Sequence, residues 1–114
     1  FNDYETTFRV VTEAIDRYPR LRGIYMANLS VSGCAAAIEQ AGKKGAIRLI
    51  CHDLNESVRQ LLLRGSIDFT IPQNLRQQGY GPLILLRDVL RRKAVPDAAR
   101  FNRQIDIVCS DNLP

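Results

Sequence analysis

No apolar run in this 114-residue sequence approaches the ~20 residues needed to cross a bilayer as a helix, so no helical membrane span and no membrane partner are expected. Histidine is almost missing: His52 stands alone, which rules out a His-rich metal cluster. The three cysteines, Cys34, Cys51 and Cys109, are odd in number, widely spaced and set among apolar neighbours. A secreted disulfide framework asks for an even count in a shorter, loop-rich chain, so buried, reduced thiols in a cytoplasmic protein are the expectation. A nucleophile elbow, a phosphate-cradling glycine loop and paired carboxylates at a defined spacing are all lacking. Ser30 to Gly33 supplies only one of the three glycines of a dinucleotide fingerprint. No cofactor and no metal are implied, and a binding module is expected in preference to an enzyme.

The formal charge of +4 raises the question of nucleic acid, but the basic residues are spread along the chain. The one dense cluster, Arg91-Arg92-Lys93, falls at an expected helix end, where cations complement the negative end of the helix dipole. The interleaved aromatics of a nucleic-acid platform are absent. A length of 114 residues suits about one domain, which by size scaling buries roughly two-thirds of its unfolded surface.

Apolar spacing predicts an alternation of helices and strands. Asn2 and Glu5 stand at capping-box spacing, and Tyr4, Phe8, Val11, Ile15 and Tyr18 trace one helical stripe that Pro19 stops. Gly23 to Ala27 reads as a strand buried on both faces. Ser30 is placed to cap a helix with Val31, Ala35, Ile38 and Ala41 on one face, and Gly42 is placed to close it. Ala46 to Ile50 is a second strand, Asn55 caps a third helix that Gly65 ends, and Ile67 to Ile71 is a third strand. A long helix follows over 75–93, in which Pro82 predicts a bend or break near Gly79 to Gly81. Residues 95–103 read as a polar connection, and Ile105 to Cys109 as a final strand. Strands joined through helices are usually parallel, and right-handed crossovers lay helices on the sheet faces. The expected class is therefore α/β, a three-layer α/β/α parallel sheet.

Ligands of open parallel sheets bind beyond the carboxyl ends of the strands. Asn28 follows the first strand, His52 and Asp53 the second, and Gln73 the third. Two amides and a carboxylate offer donors and acceptors with little reactivity, which suits the hydroxyls of a sugar. Taken singly, Asn28 reads equally as a turn former and Asp53 equally as an Asx-turn residue. Cys51 and His52 are adjacent in a strand and point to opposite faces, so they do not form a dyad or share a metal. The structural reading of His52 is preferred to a ligand contact.

Motif order adds a resemblance. Gly23-Ile24-Tyr25-Met26-Ala27-Asn28, Glu39-Gln40-Ala41-Gly42 and Arg48-Leu49-Ile50-Cys51-His52-Asp53 occur in that order. They are followed by Leu61-Leu62-Leu63-Arg64-Gly65-Ser66-Ile67-Asp68, Thr70-Ile71-Pro72-Gln73, Gln78-Gly79-Tyr80, Ile105-Asp106-Ile107-Val108 and Asp111-Asn112-Leu113-Pro114. Together they resemble the effector domain of LacI-type transcription regulators, and the same fold and motif order occur in periplasmic sugar-binding proteins. The resemblance implies one partial lobe, residues 1–114, of a type I periplasmic-binding-protein-like fold, with the helix over 75–93 packing on a lobe outside this chain. It also implies that Asn28, Asp53 and Gln73 hydrogen-bond a sugar or related effector. Lobe closure, a helix-turn-helix outside this chain that contacts DNA, and a homodimer are implied with it. The alternative is the periplasmic sugar-binding protein of a transport system.

Overall fold

Asp3 opens the first helix in the computed structural model, which describes residues 3–92 and 105–114. Its Oδ1 accepts the Thr6 N–H at 2.7 Å, so α1 (Tyr4–Arg17) is capped one residue later than the Asn2–Glu5 box anticipated. The buried stripe is Thr7, Val11 and Ile15. Tyr4 and Tyr18, expected on that stripe, are exposed, and Tyr4 instead stacks on Phe8 with ring centroids 6.2 Å apart.

The chain then alternates as expected: β1 (Gly23–Met26), α2 (Val31–Gln40), β2 (Arg48–His52), α3 (Glu56–Leu63) and β3 (Phe69–Ile71). Ser30 sits at the N-cap of α2 without a side-chain cap bond, whereas Asn55 caps α3 by accepting the Val58 N–H at 2.9 Å. Gly42 and Gly65 follow α2 and α3 with φ of +65° and +67°, the left-handed backbone that lets a helix end without a Cβ clash.

All pairing is parallel in the order β1-β2-β3, with Met26 level with Cys51, and Cys51 level with Thr70. Because this order does not reverse, two right-handed crossovers carry α2 and α3 to the same side of the sheet. There α2 packs against both α1 and α3. Leu49, Cys51 and Thr70, all 0% exposed, lie under these helices with Met26. The alternate residues Tyr25, Ile50, His52, Phe69 and Ile71 form a face that is half-buried or exposed. β1 is thus an edge strand buried on one side only, contrary to the two-sided burial expected of its apolar run; Tyr25 is 56% exposed.

Side chains explain two further shifts of boundary. Asp68 Oδ2 accepts the Leu49 N–H at 2.8 Å and its Oδ1 pairs with Arg48 at 2.6 Å. A carboxylate therefore holds the strand entrance, and β3 proper begins at Phe69 instead of Ile67. At the carboxyl end the anticipated strand reduces to one antiparallel bridge between Val108 and Thr70. Asn112 draws the neighbouring backbone inward, accepting from Cys109 N–H at 2.7 Å and donating to the Ile107 carbonyl at 2.9 Å, beside a 3-10 turn at Ser110–Asn112.

The chain divides into two compact units, Phe1–Pro72 with Ile107–Pro114, and Gln73–Asp106. The second unit contains α4 (Leu75–Arg92), which runs through Pro82 without the break anticipated near Gly79 to Gly81. Leu83, Leu86 and Leu90 are exposed along it. The polar connection expected over 95–103 lies outside the described residues.

The crossing of α1 and α2 depends on Gly33, where a Cβ would stand 2.7 Å from the Tyr4 carbonyl oxygen. In an ordinary helix interior, replacing glycine by alanine gains up to ~1 kcal/mol. Here the two backbones must separate, so Gly33→Ala is expected to destabilise the first unit by about 1–3 kcal/mol. A urea unfolding midpoint that stays level or rises would contradict this packing.

Candidate ligand-binding site

Strand register brings two of the anticipated residues to one edge. Met26 and Cys51 are paired, and Asn28 and Asp53 each lie two residues beyond them, at matching levels on adjacent strand ends. Neighbouring strands run ~4.8 Å apart, so the two residues stand on adjacent strand ends of one sheet edge. Both residues are partly buried. Asn28 Oδ1 accepts the Ser30 N–H at 3.1 Å, fixing the turn into α2. The turn-forming role expected of Asn28 is therefore present in the structure.

Asp53 has a feature that spacing did not reveal. Its φ is +67°, and it is the only non-glycine residue with positive φ among the described residues. Such backbone is uncommon outside glycine, is best tolerated by Asn and Asp, and gathers at ligand sites where the surroundings hold it. β3 does the holding here. The Asp53 N–H donates to the Ile71 carbonyl at 3.1 Å, and the Asp53 carbonyl accepts the Thr70 hydroxyl at 2.5 Å.

A hollow of about 170 Å³ opens beside Asn28, walled by Thr6, Thr7, Val10, Val11 and Met26. It is mostly apolar, with hydroxyls only from α1. The contribution of α1 was invisible in the sequence because Thr6 and Thr7 lie beside the stripe of large apolar residues that defined the helix.

His52 lies on the opposite side of β2 from Cys51, as the strand period requires. Tyr25, diagonal to it on the same face, hydrogen-bonds its Nε2 through the phenol hydroxyl, and the rings meet edge-on with centroids 5.4 Å apart. Its Nδ1 is buried without a hydrogen-bond partner. These contacts engage His52 on the half-open face of the sheet. Gln73 follows β3 by two residues and is exposed; it belongs to the second unit.

Residues 1–94 match the family described as periplasmic binding protein domain. Over 89 residues the chain is 30% identical to the D-allose-binding periplasmic protein of Escherichia coli (strain K12), covering 76% of this chain and 29% of that protein. GanP, a glucose-galactose binding protein from Geobacillus stearothermophilus, matches with a TM-score of 0.82 and 19% identity, over 98% of this chain and 40% of its own. An ABC transporter periplasmic solute binding protein from Actinobacillus succinogenes 130z, solved with bound D-allose, matches with a TM-score of 0.77 and 18% identity, over 96% of this chain and 38% of its own. The two structures share the fold, a partial lobe of which this chain provides. The chain spans less than a third of the curated relative's length.

These likenesses correct two expectations. The relatives are sugar-binding proteins, so the resemblance to LacI-type regulators narrows to the periplasmic-binding-protein-like fold they share. The cytoplasmic location is overturned by the identity to a periplasmic protein. The expectation rested on unpaired cysteines, and for Cys34 and Cys51 burial explains the lack of a disulfide without reference to compartment. Cys34 and Cys51 are fully enclosed. Burial, with a smaller push from Cys51, drives the Cys34 thiol up to about 12, and burial also raises Cys51. Both shifts disfavour the thiolate that disulfide exchange requires.

Native protein at pH 8 is therefore expected to label with a thiol reagent at the partly exposed Cys109 alone, and at all three cysteines in urea. Because the folded value for Cys34 is raised, its contribution to stability is complete below an unfolded thiol's pKa of about 8.5 and is lost as pH climbs toward about 12. Rapid labelling of more than one thiol in the native state would contradict this.

Proposed function

Because the chain belongs to the periplasmic binding protein domain family, we propose that it is part of a sugar-binding protein of a transport system, with Asn28 and Asp53 as ligands for adjacent sugar hydroxyls. The observation that carries this reading is the pair of polar residues at matched register beyond β1 and β2, one of them in left-handed backbone held from β3. An ionised carboxylate accepts two O–H bonds, whereas the amide both donates and accepts, so together they sense the orientation of neighbouring hydroxyls. Nothing in this set offers a nucleophile, and the role is binding without turnover. The curated relative's name points to an aldohexose such as D-allose as the first ligand to try.

In this reading Gln73 adds an amide from the crossing between lobes, and α4 packs its Leu83, Leu86 and Leu90 side on a second lobe carried by the rest of the intact protein. The greater length of the relatives leaves room for such a lobe. A sugar that contacts both lobes favours the closed arrangement only by its differential affinity for it.

A second reading, the effector domain of a LacI-type regulator that acts as a homodimer through a DNA-binding head outside this chain, is favoured by the motif order through Asp111-Asn112-Leu113-Pro114. Sugar-dependent DNA binding by the intact protein would select this reading over transport.

Calorimetric titration of the intact protein with D-allose, D-galactose, L-arabinose and D-xylose tests the site. Asp53→Asn keeps the residue's tolerance for left-handed backbone while removing the charge. It is expected to weaken the best sugar by about 10-fold or more. Binding of none of the sugars, or equal affinity in wild type and D53N, would contradict the assignment.

A further inference from the structure

We infer that Thr70 is a positioning residue for the sugar site, fixing the direction of the Asp53 side chain through Asp53's own main chain; this rests on the reading of Asp53 as a sugar ligand. Thr70 is wholly buried in β3, and its hydroxyl lies 2.5 Å from the Asp53 carbonyl oxygen and 3.3 Å from that of Cys51. A hydroxyl has one proton to donate, and the shorter contact takes it. The Thr70 backbone is itself fixed, since its N–H donates to Val108 O at 2.8 Å and its C=O accepts from Val108 N–H at 2.9 Å.

With the next residue, Ile71, accepting the Asp53 N–H, both main-chain groups of Asp53 are caught by two successive residues of one strand. Positive φ in a residue with a Cβ persists only when the surroundings over-determine it. In extended backbone the Asp53 carbonyl would turn away from Thr70 and the carboxylate would leave along a different vector. A buried threonine with no such role would be replaceable by valine, which has the same branched shape, without altering Asp53.

The test uses the intact protein in two separate measurements. Three-bond HN–Hα couplings and backbone carbon shifts report φ at residue 53 without any sugar. Wild type and T70S are expected to show positive φ there, and T70V to lose it while the amide signals of Leu49 persist. D-allose titrations then follow T70V with Asp53 present and in the D53G background, where the side chain is gone and glycine takes left-handed backbone freely. T70V is expected to cost about 10-fold in affinity with Asp53 present and nothing further in D53G. Positive φ retained in T70V, or an equal loss in both backgrounds, overturns the role of Thr70. Wild-type affinity in D53G would instead sink Asp53 as a ligand, so the two failures are read from different samples. Should T70V not fold, D53G/T70V decides: a double variant that folds supports the coupling, and one that stays unfolded overturns it.

Discussion

Thr70 uses all of its hydrogen-bonding groups where β2, β3 and the carboxyl-terminal segment meet. Its backbone bridges Val108 and its hydroxyl reaches Asp53, so one fully buried residue ties the last segment of the chain to the end of the central strand. Without a partner, the buried hydroxyl and the buried carbonyls around it would carry a desolvation cost of about 1–3 kcal/mol each. Their mutual satisfaction permits the turn at Asp53 to be left-handed. The polar rim proposed to meet a sugar therefore depends on a bond made beneath the sheet surface.

The two ends of the sheet divide the work. At the amino ends, Asp68 binds the Leu49 N–H and Arg48, Glu39 bonds Ser66, and Lys44 reaches the Arg64 carbonyl at 2.7 Å. These contacts satisfy polar groups with protein partners and serve to lock strand entrances. At the carboxyl ends the chain presents Asn28 and Asp53 at one level, beside a small apolar hollow. Parallel α/β sheets commonly separate stability from binding in this way, because helix N-termini and variable loops gather at the carboxyl ends of the strands.

Much of this was legible from residue spacing. Apolar periodicity located the helices and strands, and Asn55, Gly42 and Gly65 marked helix ends through side-chain and backbone chemistry that is local to each position. Candidate residues Asn28 and Asp53 followed from the rule that ligands meet strand ends. What escaped was non-local. Gly23 to Met26 looks the same whether a strand is central or at an edge, so the exposure of Tyr25 was hidden until the strand order was known. The start of β3 depended on a carboxylate reaching across to Leu49, and the positive φ of Asp53 on a hydroxyl 17 residues away in sequence. The cysteines misled about compartment because two of them, Cys34 and Cys51, lie in the core, where burial keeps a thiol unpaired.

A crystal structure of the intact protein with D-allose bound tests the placement of the site most directly. Adjacent sugar hydroxyls are expected within hydrogen-bond distance of the Asn28 amide and the Asp53 carboxylate, with Asp53 still in left-handed backbone. A sugar seated away from both strand ends, with the Asp53 carboxylate facing solvent, would contradict it.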